Sequence, residues 1–399
     1  MRAKSDAIEG VVSWIKSKAD AMESALASLV EVNSFTSNVE GGNRVGSMLR
    51  ELFECGALRC EVQKSESFAD HLVFRTGAPG KPIALVGHLD TVFPPGTFEG
   101  YRRDGILARG PGVLDMKGGL LVAGFALLAL NHAGFLSELP LRLVIVGDEE
   151  VGSPEGQRIL ANAAGDATCG LVFEAGRAGD AIVTRRKGTG SLVAVARGRA
   201  AHAGNLHHQG VNAIWALSRF IDRAQELTSY DRGTTVNVGR VAGGSARNTV
   251  PDAARAEIDI RFTSREDGDA LIAALAAAAS AAGSSLSAAI ELSGGISRTP
   301  LARSPASEQL YAEYAACAVA AGLGSAEAPL AGGGSDANTL SALGIPCIDA
   351  LGPRGSGFHT HDEQIEVATL VPKTEALARF LLGRLNSSSP ENVAQGSRN

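Results

Sequence analysis

Apolar residues recur along this chain with two periods, and the switches between them mark out its elements. Over residues 6 to 56 they return at helical spacing, with the rhythm broken near Asn33 to Gly42. Short apolar runs follow: HLVFRTG (71–77), PIALVGHLDTV (82–92), LRLVIVGDEE (141–150), CGLVFEAG (169–176) and, much later, IPCIDALG (345–352). Each reads as a strand buried on both faces. Helical stretches separate them at 118–134, 155–164, around 306–321 and at 367–385. This alternation predicts an α/β domain: a mostly parallel sheet with helices on both faces.

Between about 188 and 297 the pattern changes. SLVAVARGRA, TTVNVGRVAGG, RAEIDIRFTS and SLSAAIELSGG read as strands, with helices at 211–228 and 267–282. The order β-α-β-β-α-β is that of a ferredoxin-like domain. The first pattern resumes afterwards, so 188–297 reads as an insertion into a discontinuous domain formed by 1–187 and 298–385. Residues 386–399 are polar and read as a disordered tail.

A chain of 399 residues exceeds what one hydrophobic core usually serves, in keeping with two domains. Its 45% hydrophobic and 20% charged content is that of a soluble globular protein. A formal net charge of −6 weighs against nucleic acid or an anionic membrane as partner. No stretch reads as a signal peptide, and the longest apolar run, Gly118 to Leu130, is too short to span a bilayer. The five cysteines are scattered and form no C-x-x-C pair, which suggests neither a disulfide framework nor a zinc ribbon. A cytoplasmic location is expected. Any metal would then be held by His, Asp and Glu.

Ligands of open α/β sheets bind beyond the carboxyl ends of the strands. Those ends carry His88 and Asp90, then Asp148, Glu149 and Glu150, then Glu174; near the last strand stands HTHDE (359–363), and the loop GPGVLDMKGG (110–119) adds Asp115. So many carboxylates on one edge are unfavourable unless cations neutralise them. Divalent metals would do so, and imidazole with carboxylate suits zinc and similar ions. There are ligands enough for two metals sharing a carboxylate, an arrangement that activates water for hydrolysis.

These residues resemble a known family: the co-catalytic zinc hydrolases that include glutamate carboxypeptidase, acetylornithine deacetylase and succinyl-diaminopimelate desuccinylase. The resemblance runs from about Ala21 to Leu385. It rests on GHLDT (87–91), GPGVLDMKGG (110–119), DEEVGS (148–153), FEAG (173–176), RKG (186–188), AHAG (201–204), GGGSDA (332–337) and HTHDE (359–363). It is closest to the glutamate carboxypeptidase branch.

The resemblance implies that Asp115 bridges two divalent metals, zinc first, with cobalt or manganese also suited. His88 and Glu174 would complete one site, and Glu150 and His359 the other. The family's pattern of His, two residues, Asp or Asn, then Glu selects His359, with His361 as runner-up. Glu149 would be the general base and Asp90 the group fixing the tautomer of His88. His202 would meet a developing oxyanion, in its own chain or across a dimer. Asn248, Arg261 and backbone N–H groups of Gly333 and Gly334 would hold the substrate carboxylate. The inserted domain would serve as lid and as dimerisation surface.

The expected activity is metal-dependent hydrolysis of an amide or peptide bond beside a free carboxylate, in the manner of a glutamate carboxypeptidase. An N-acyl-amino-acid deacylase or desuccinylase, or a hydrolase of an unusual amide or aryl amine, is the alternative on the same scaffold. A non-catalytic metal- or ligand-binding protein is the alternative from another class. The other partner expected is a second copy of the chain.

Overall fold

A computed structural model describes residues 2–385. The reading of 386–399 as a tail lies outside the described residues. The chain opens with helices α1 (Arg2–Ser17), α2 (Ala19–Val30) and α3 (Val39–Phe53), then strands β1 (Leu58–Gln63), β2 (His71–Thr76) and β3 (Ile83–His88). Short strands β4 (Arg102–Asp104) and β5 (Leu107–Arg109) lead to α4 (Lys117–His132), β6 (Leu141–Val146), α5 (Gly156–Ala164) and β7 (Cys169–Val172). Next come β8 (Gly188–Arg197), β9 (Ala201–His202), α6 (Ala213–Gln225), β10 (Thr235–Gly243), β11 (Thr249–Val250), β12 (Ala253–Phe262), α7 (Arg265–Ser284) and β13 (Ala289–Arg298). The chain closes with α8 (Pro305–Ala320), α9 (Asp336–Ala342), β14 (Cys347–Ile348), β15 (Gly355–Ser356), β16 (Gln364–Glu366) and α10 (Leu370–Leu385).

Two compact units result. Of the described residues, one holds 2–185, 303–330 and 335–385; the other holds Arg186–Ala302 and Ala331–Gly334. The first is built on a six-stranded sheet of order β1-β2-β6-β3-β7-β14. Strands β6, β3, β7 and β14 run parallel, whereas β1 pairs antiparallel with β2 and β2 antiparallel with β6. The sheet is therefore mostly parallel, as expected, with β2 running against its neighbours. The hairpin escaped notice because β1 (LRCEVQ) alternates apolar and polar residues weakly and has one exposed face.

Strand periodicity explains why the central runs are continuously apolar. Leu85 of β3, Leu143 and Ile145 of β6 and Leu171 of β7 join one core cluster with Ile15, Leu26, Phe53, Leu121 and Leu377 from α1, α2, α3, α4 and α10. The alternate residues Val86, Val144, Val146 and Val172 are buried as well. A Cβ on Gly156, at the start of α5, would stand 3.1 Å from Val146, and one on Gly170 would meet Leu340 of α9. So α5 and α9 cover the side opposite the larger helical layer. A small sheet of order β15-β16-β5-β4 belongs to the same unit. Its strands of two or three residues are too short to show a period.

The second unit has a four-stranded antiparallel sheet of order β10-β12-β8-β13, with α6 and α7 packed together on it. Its core is Leu192, Ala194 and Ala196 of β8 with Ile258 and Ile260 of β12 and Leu217, Phe220 and Leu275 from the helices. The two-stranded ribbon of β9 and β11 pairs His202 with Thr249. Among the described residues, no helix is long and apolar enough to cross a membrane.

Candidate metal centre

Three parallel strands deliver the chemistry of the first unit. His88 is the last residue of β3, Asp148 to Glu150 follow β6, and Glu174 follows β7. Asp115 stands two residues before α4, on a loop whose Asp115–Met116 peptide is cis. Helix α4 can approach β7 this closely only because residue 119 is glycine: a Cβ there would lie 1.9 Å from the carbonyl oxygen of Phe173. Asp115 and Glu174 thus reach the same place from opposite directions.

The carboxylate of Asp115 faces two histidines. Its Oδ1 lies 3.3 Å from His88 Nε2, which is also 3.8 Å from Glu174 Oε1. Its Oδ2 lies 3.3 Å from His359 Nε2, which is 3.1 Å from Glu150 Oε2. Possible ligand atoms of His88, Asp115 and Glu150 fall within 4.8 Å of one another, as do those of His88, Glu149 and Glu174. The second grouping puts Glu149 over the His88 side, although its neighbour Glu150 turns to His359. His361 is elsewhere: its ring stacks on Phe98, 5.6 Å between centroids.

Hydrogen bonds orient these groups. His88 Nδ1 donates to the main-chain carbonyl of Asp90 at 3.0 Å, which turns Nε2 toward Asp115 and Glu174. The carboxylate of Asp90, expected to do this, lies 3.4 Å from Nδ1. It also accepts the Thr36 hydroxyl at 2.7 Å and the backbone N–H groups of Glu149 and Glu150 at 3.1 and 3.2 Å. Asp148 accepts from the N–H groups of Glu155 and Gly156. His359 has a φ of 62°, a left-handed conformation that is uncommon outside glycine and recurs at functional sites. Lys117 is fully buried and donates to the carbonyls of Leu29 and Val32, both at 3.0 Å, closing the end of α2.

The charges strain against burial. Burial and the neighbouring Asp115 push Glu174 up to about 7, against the pull of His88. Burial also raises Glu150, with His359 opposing. Burial works to raise Asp115, but hydrogen bonds from His359 and His88 outweigh it and hold its carboxyl well below the usual range. Asp115 and Glu150 in turn push His359 up to about 10. The cluster thus draws positive charge to itself. Two imidazoles among carboxylates, with thiolates absent, are a donor set that fits borderline divalent cations.

The second unit carries the remaining sequence-predicted residues. His202 is exposed, and its Nδ1 accepts from the N–H groups of Gly204 and Asn205, so Nε2 bears the proton as a donor. The carbonyl of Asn248 accepts from Ala203, which holds Asn248 beside His202. Arg261 already makes a bidentate pair with Asp259, both bonds 2.8 Å, on the same face of β12. That partner was visible two residues upstream. Buried Arg186 donates to the carbonyl of Gly333 at 3.1 Å, and Lys187 N–H to that of Ala331, so Gly333 and Gly334 are tied to the RKG stretch. Ser335 caps α9 and donates to Asp349 at 2.6 Å.

The chain is similar to known proteins along most of its length. Residues 84–383 match the family model described as peptidase family M20/M25/M40. The chain is 27% identical over 368 residues to carboxypeptidase G2 of Pseudomonas sp. (strain RS-16), covering 90% of this chain and 88% of that protein. It is 32% identical over 341 residues to a succinyl-diaminopimelate desuccinylase of Cereibacter sphaeroides, covering 78% and 86%. In fold it is similar to a tripeptidase from Staphylococcus aureus, with a TM-score of 0.76 and 22% identity over 92% of this chain and 99% of that one. A metallo-carboxypeptidase from Sulfolobus solfataricus gives 0.72 at 18% identity, covering 90% and 98%. With a match over three quarters of its length and acidic and histidine groups converging where those strands end, the chain belongs to peptidase family M20/M25/M40 and is a metal-dependent hydrolase.

Proposed function

We propose that the chain is a two-metal carboxypeptidase of the glutamate carboxypeptidase type, cleaving an amide or peptide bond next to a free carboxylate. The observation that carries this is Asp115, whose two oxygens face two different histidines, each with its own glutamate. His88, Asp115 and Glu174 would hold one cation, and His359, Asp115 and Glu150 the other, zinc or a similar ion. Such a pair supplies the Lewis acidity that activates water and polarises the scissile carbonyl. Similarity to carboxypeptidase G2 along most of both chains supports the carboxypeptidase reading.

Glu149 takes the proton from water and delivers it to the leaving amine. Its backbone is fixed through Asp90, so its side chain is aimed before substrate arrives. His202 donates from Nε2–H to the developing oxyanion. Arg261, shared with Asp259, and Asn248 hold the substrate carboxylate, together with the backbone of Gly333 and Gly334. The inserted unit, a ferredoxin-like fold in its strand order, acts as lid and as the contact with a second copy; it exposes Trp215 and Val241, 57% and 55% accessible. The desuccinylase likeness keeps an N-acyl-amino-acid deacylase as a second reading.

The test is Glu149→Gln beside Glu150→Ala, with metal content and turnover measured on dipeptides and N-acyl amino acids. Glu149→Gln is expected to lose about 10²-fold or more in kcat with its metals retained, and Glu150→Ala to lose metal as well. A fully active Glu149→Gln would refute the mechanism. Preference for N-acyl substrates over dipeptides would select the deacylase.

A further inference from the structure

Glu363 is fully buried, and no role follows for it from the ligand set above. Its Oε1 accepts two consecutive backbone N–H groups, from Leu114 at 2.9 Å and Asp115 at 3.0 Å. Asp115 is the shared carboxylate of the proposed centre, and Glu363 stands four residues beyond His359. At the same junction Gly110 N–H donates to the Glu363 carbonyl, and the next residue, Gln364, pairs with Arg109 as β16 meets β5. One side chain and one strand pair therefore join the loop of Asp115 to the loop of His359. Gly357, at a φ of 79°, allows the close turn: a Cβ there would stand 2.5 Å from the carbonyl of Asp362.

We infer that Glu363 is a positioning residue that sets Asp115 against His359, and so shapes the Asp115–Glu150–His359 site in preference to the His88–Glu174 side. The inference rests on the two-metal reading. The physical reason is the bond itself. A side-chain oxygen that accepts two consecutive backbone N–H groups is a directional anchor, so the Asp115 backbone is held whether or not a cation is present. The His88–Glu174 side has a separate anchor, since the Asp90 carbonyl orients His88 and the Asp90 carboxylate holds the backbone N–H of Glu149. Glu363 acts on the bridge and on the loop of His359 alone.

The experiment is a zinc titration of the chelator-stripped full chain against a chromophoric zinc indicator, for wild type, Glu363→Ala, Glu363→Gln and Glu363→Asp. Wild type is expected to bind two equivalents. Glu363→Ala should keep one tight equivalent and weaken the other by about 10–100-fold, the usual effect of removing a group that orients a ligand. Glu363→Gln retains an acceptor oxygen in place and should restore the weakened equivalent, whereas Glu363→Asp, one methylene shorter, should not. Wild-type binding of both equivalents by Glu363→Ala would overturn the inference. If Glu363→Ala does not fold, the Gln and Asp pair decides: equal impairment of both, or of both equivalents together, overturns it. A wild type that takes up fewer than two zinc ions would overturn the two-metal reading itself.

Discussion

Gly119→Ala tests whether close packing of α4 against β7 builds the site. The added Cβ would lie 1.9 Å from the Phe173 carbonyl oxygen, 3.0 Å from its carbonyl carbon and 3.1 Å from its Cβ. Two of the three obstacles are backbone atoms of a buried segment, so the helix must retreat by roughly 1.5 Å to reach ordinary contact distance. Overpacking of this kind costs about 1–3 kcal/mol or more, and alanine returns at most about 1 kcal/mol in helix propensity. A net loss of about 1–2 kcal/mol lowers Tm by about 2–8 °C for a domain of this size. The functional effect should be larger. Asp115 moves with the helix while Glu174 follows Phe173, and a misplacement near 1 Å costs about 10²-fold in rate. Thermal melting and kcat/KM on a carboxylate-bearing dipeptide measure both. Gly10→Ala in α1, where nothing lies within 4 Å, is the control and should be neutral or slightly stabilising. A Gly119→Ala protein with wild-type Tm and rate would refute the packing; one with lowered Tm and full activity would refute its link to the site.

Asp180 is buried and pairs with Arg354 and Lys373. Burial works to raise its carboxyl, but Arg354 and Lys373 outweigh it and hold it below the ordinary value. The sign follows: the pair stabilises above the unfolded carboxylate range and is lost as pH falls through the lower folded value. Asp180→Asn keeps the residue type that tolerates its φ of 57°, costs about 3–5 kcal/mol near neutrality by leaving buried Lys373 uncompensated, and should flatten the acid limb of Tm against pH; an unchanged limb counts against the pairing. Arg261→Ala should raise KM for carboxylate substrates about tenfold or more, as loss of a charge-assisted pair does, with kcat little changed. An unaltered KM removes Arg261 from the pocket and leaves it as the partner of Asp259.

Much of the fold was open to reading because it is local. β3, β6 and β7 are continuous apolar runs buried on both faces, and such runs announce themselves at any position in a chain. The helices α4, α8 and α10 fell where their periodicity put them, and the segment 188–297 changed pattern within a few residues of the true start of β8. The misses have a common cause. The strands β4, β5, β15 and β16 and the short helix α9 hold seven residues or fewer, too few to show a period, and β5 pairs with β16 across most of the chain. β1 is an edge strand with only one face to bury, so its pattern was faint.

The candidate centre divides in the same way. Residue identity at strand ends and in the 110–119 loop singled out His88, Asp115, Glu149, Glu150 and Glu174, because burying that many carboxylates together demands a compensating cation. That Asp115 offers one oxygen to each histidine depended on tertiary structure, as did the turning of His359 inward while His361 stacks on Phe98. Residue type alone does not separate these two imidazoles; the resemblance selects His359, and its left-handed φ accompanies the inward turn. Glu363 stood in a quoted motif without a task. Its hydrogen bonds span 248 and 249 positions to Asp115 and Leu114. The sequence by itself determined which chemistry gathers at the strand ends, since that follows from periodicity and residue type. Only the folded chain decided which atoms face one another, because bond directions between distant segments are set by packing and not by any local pattern.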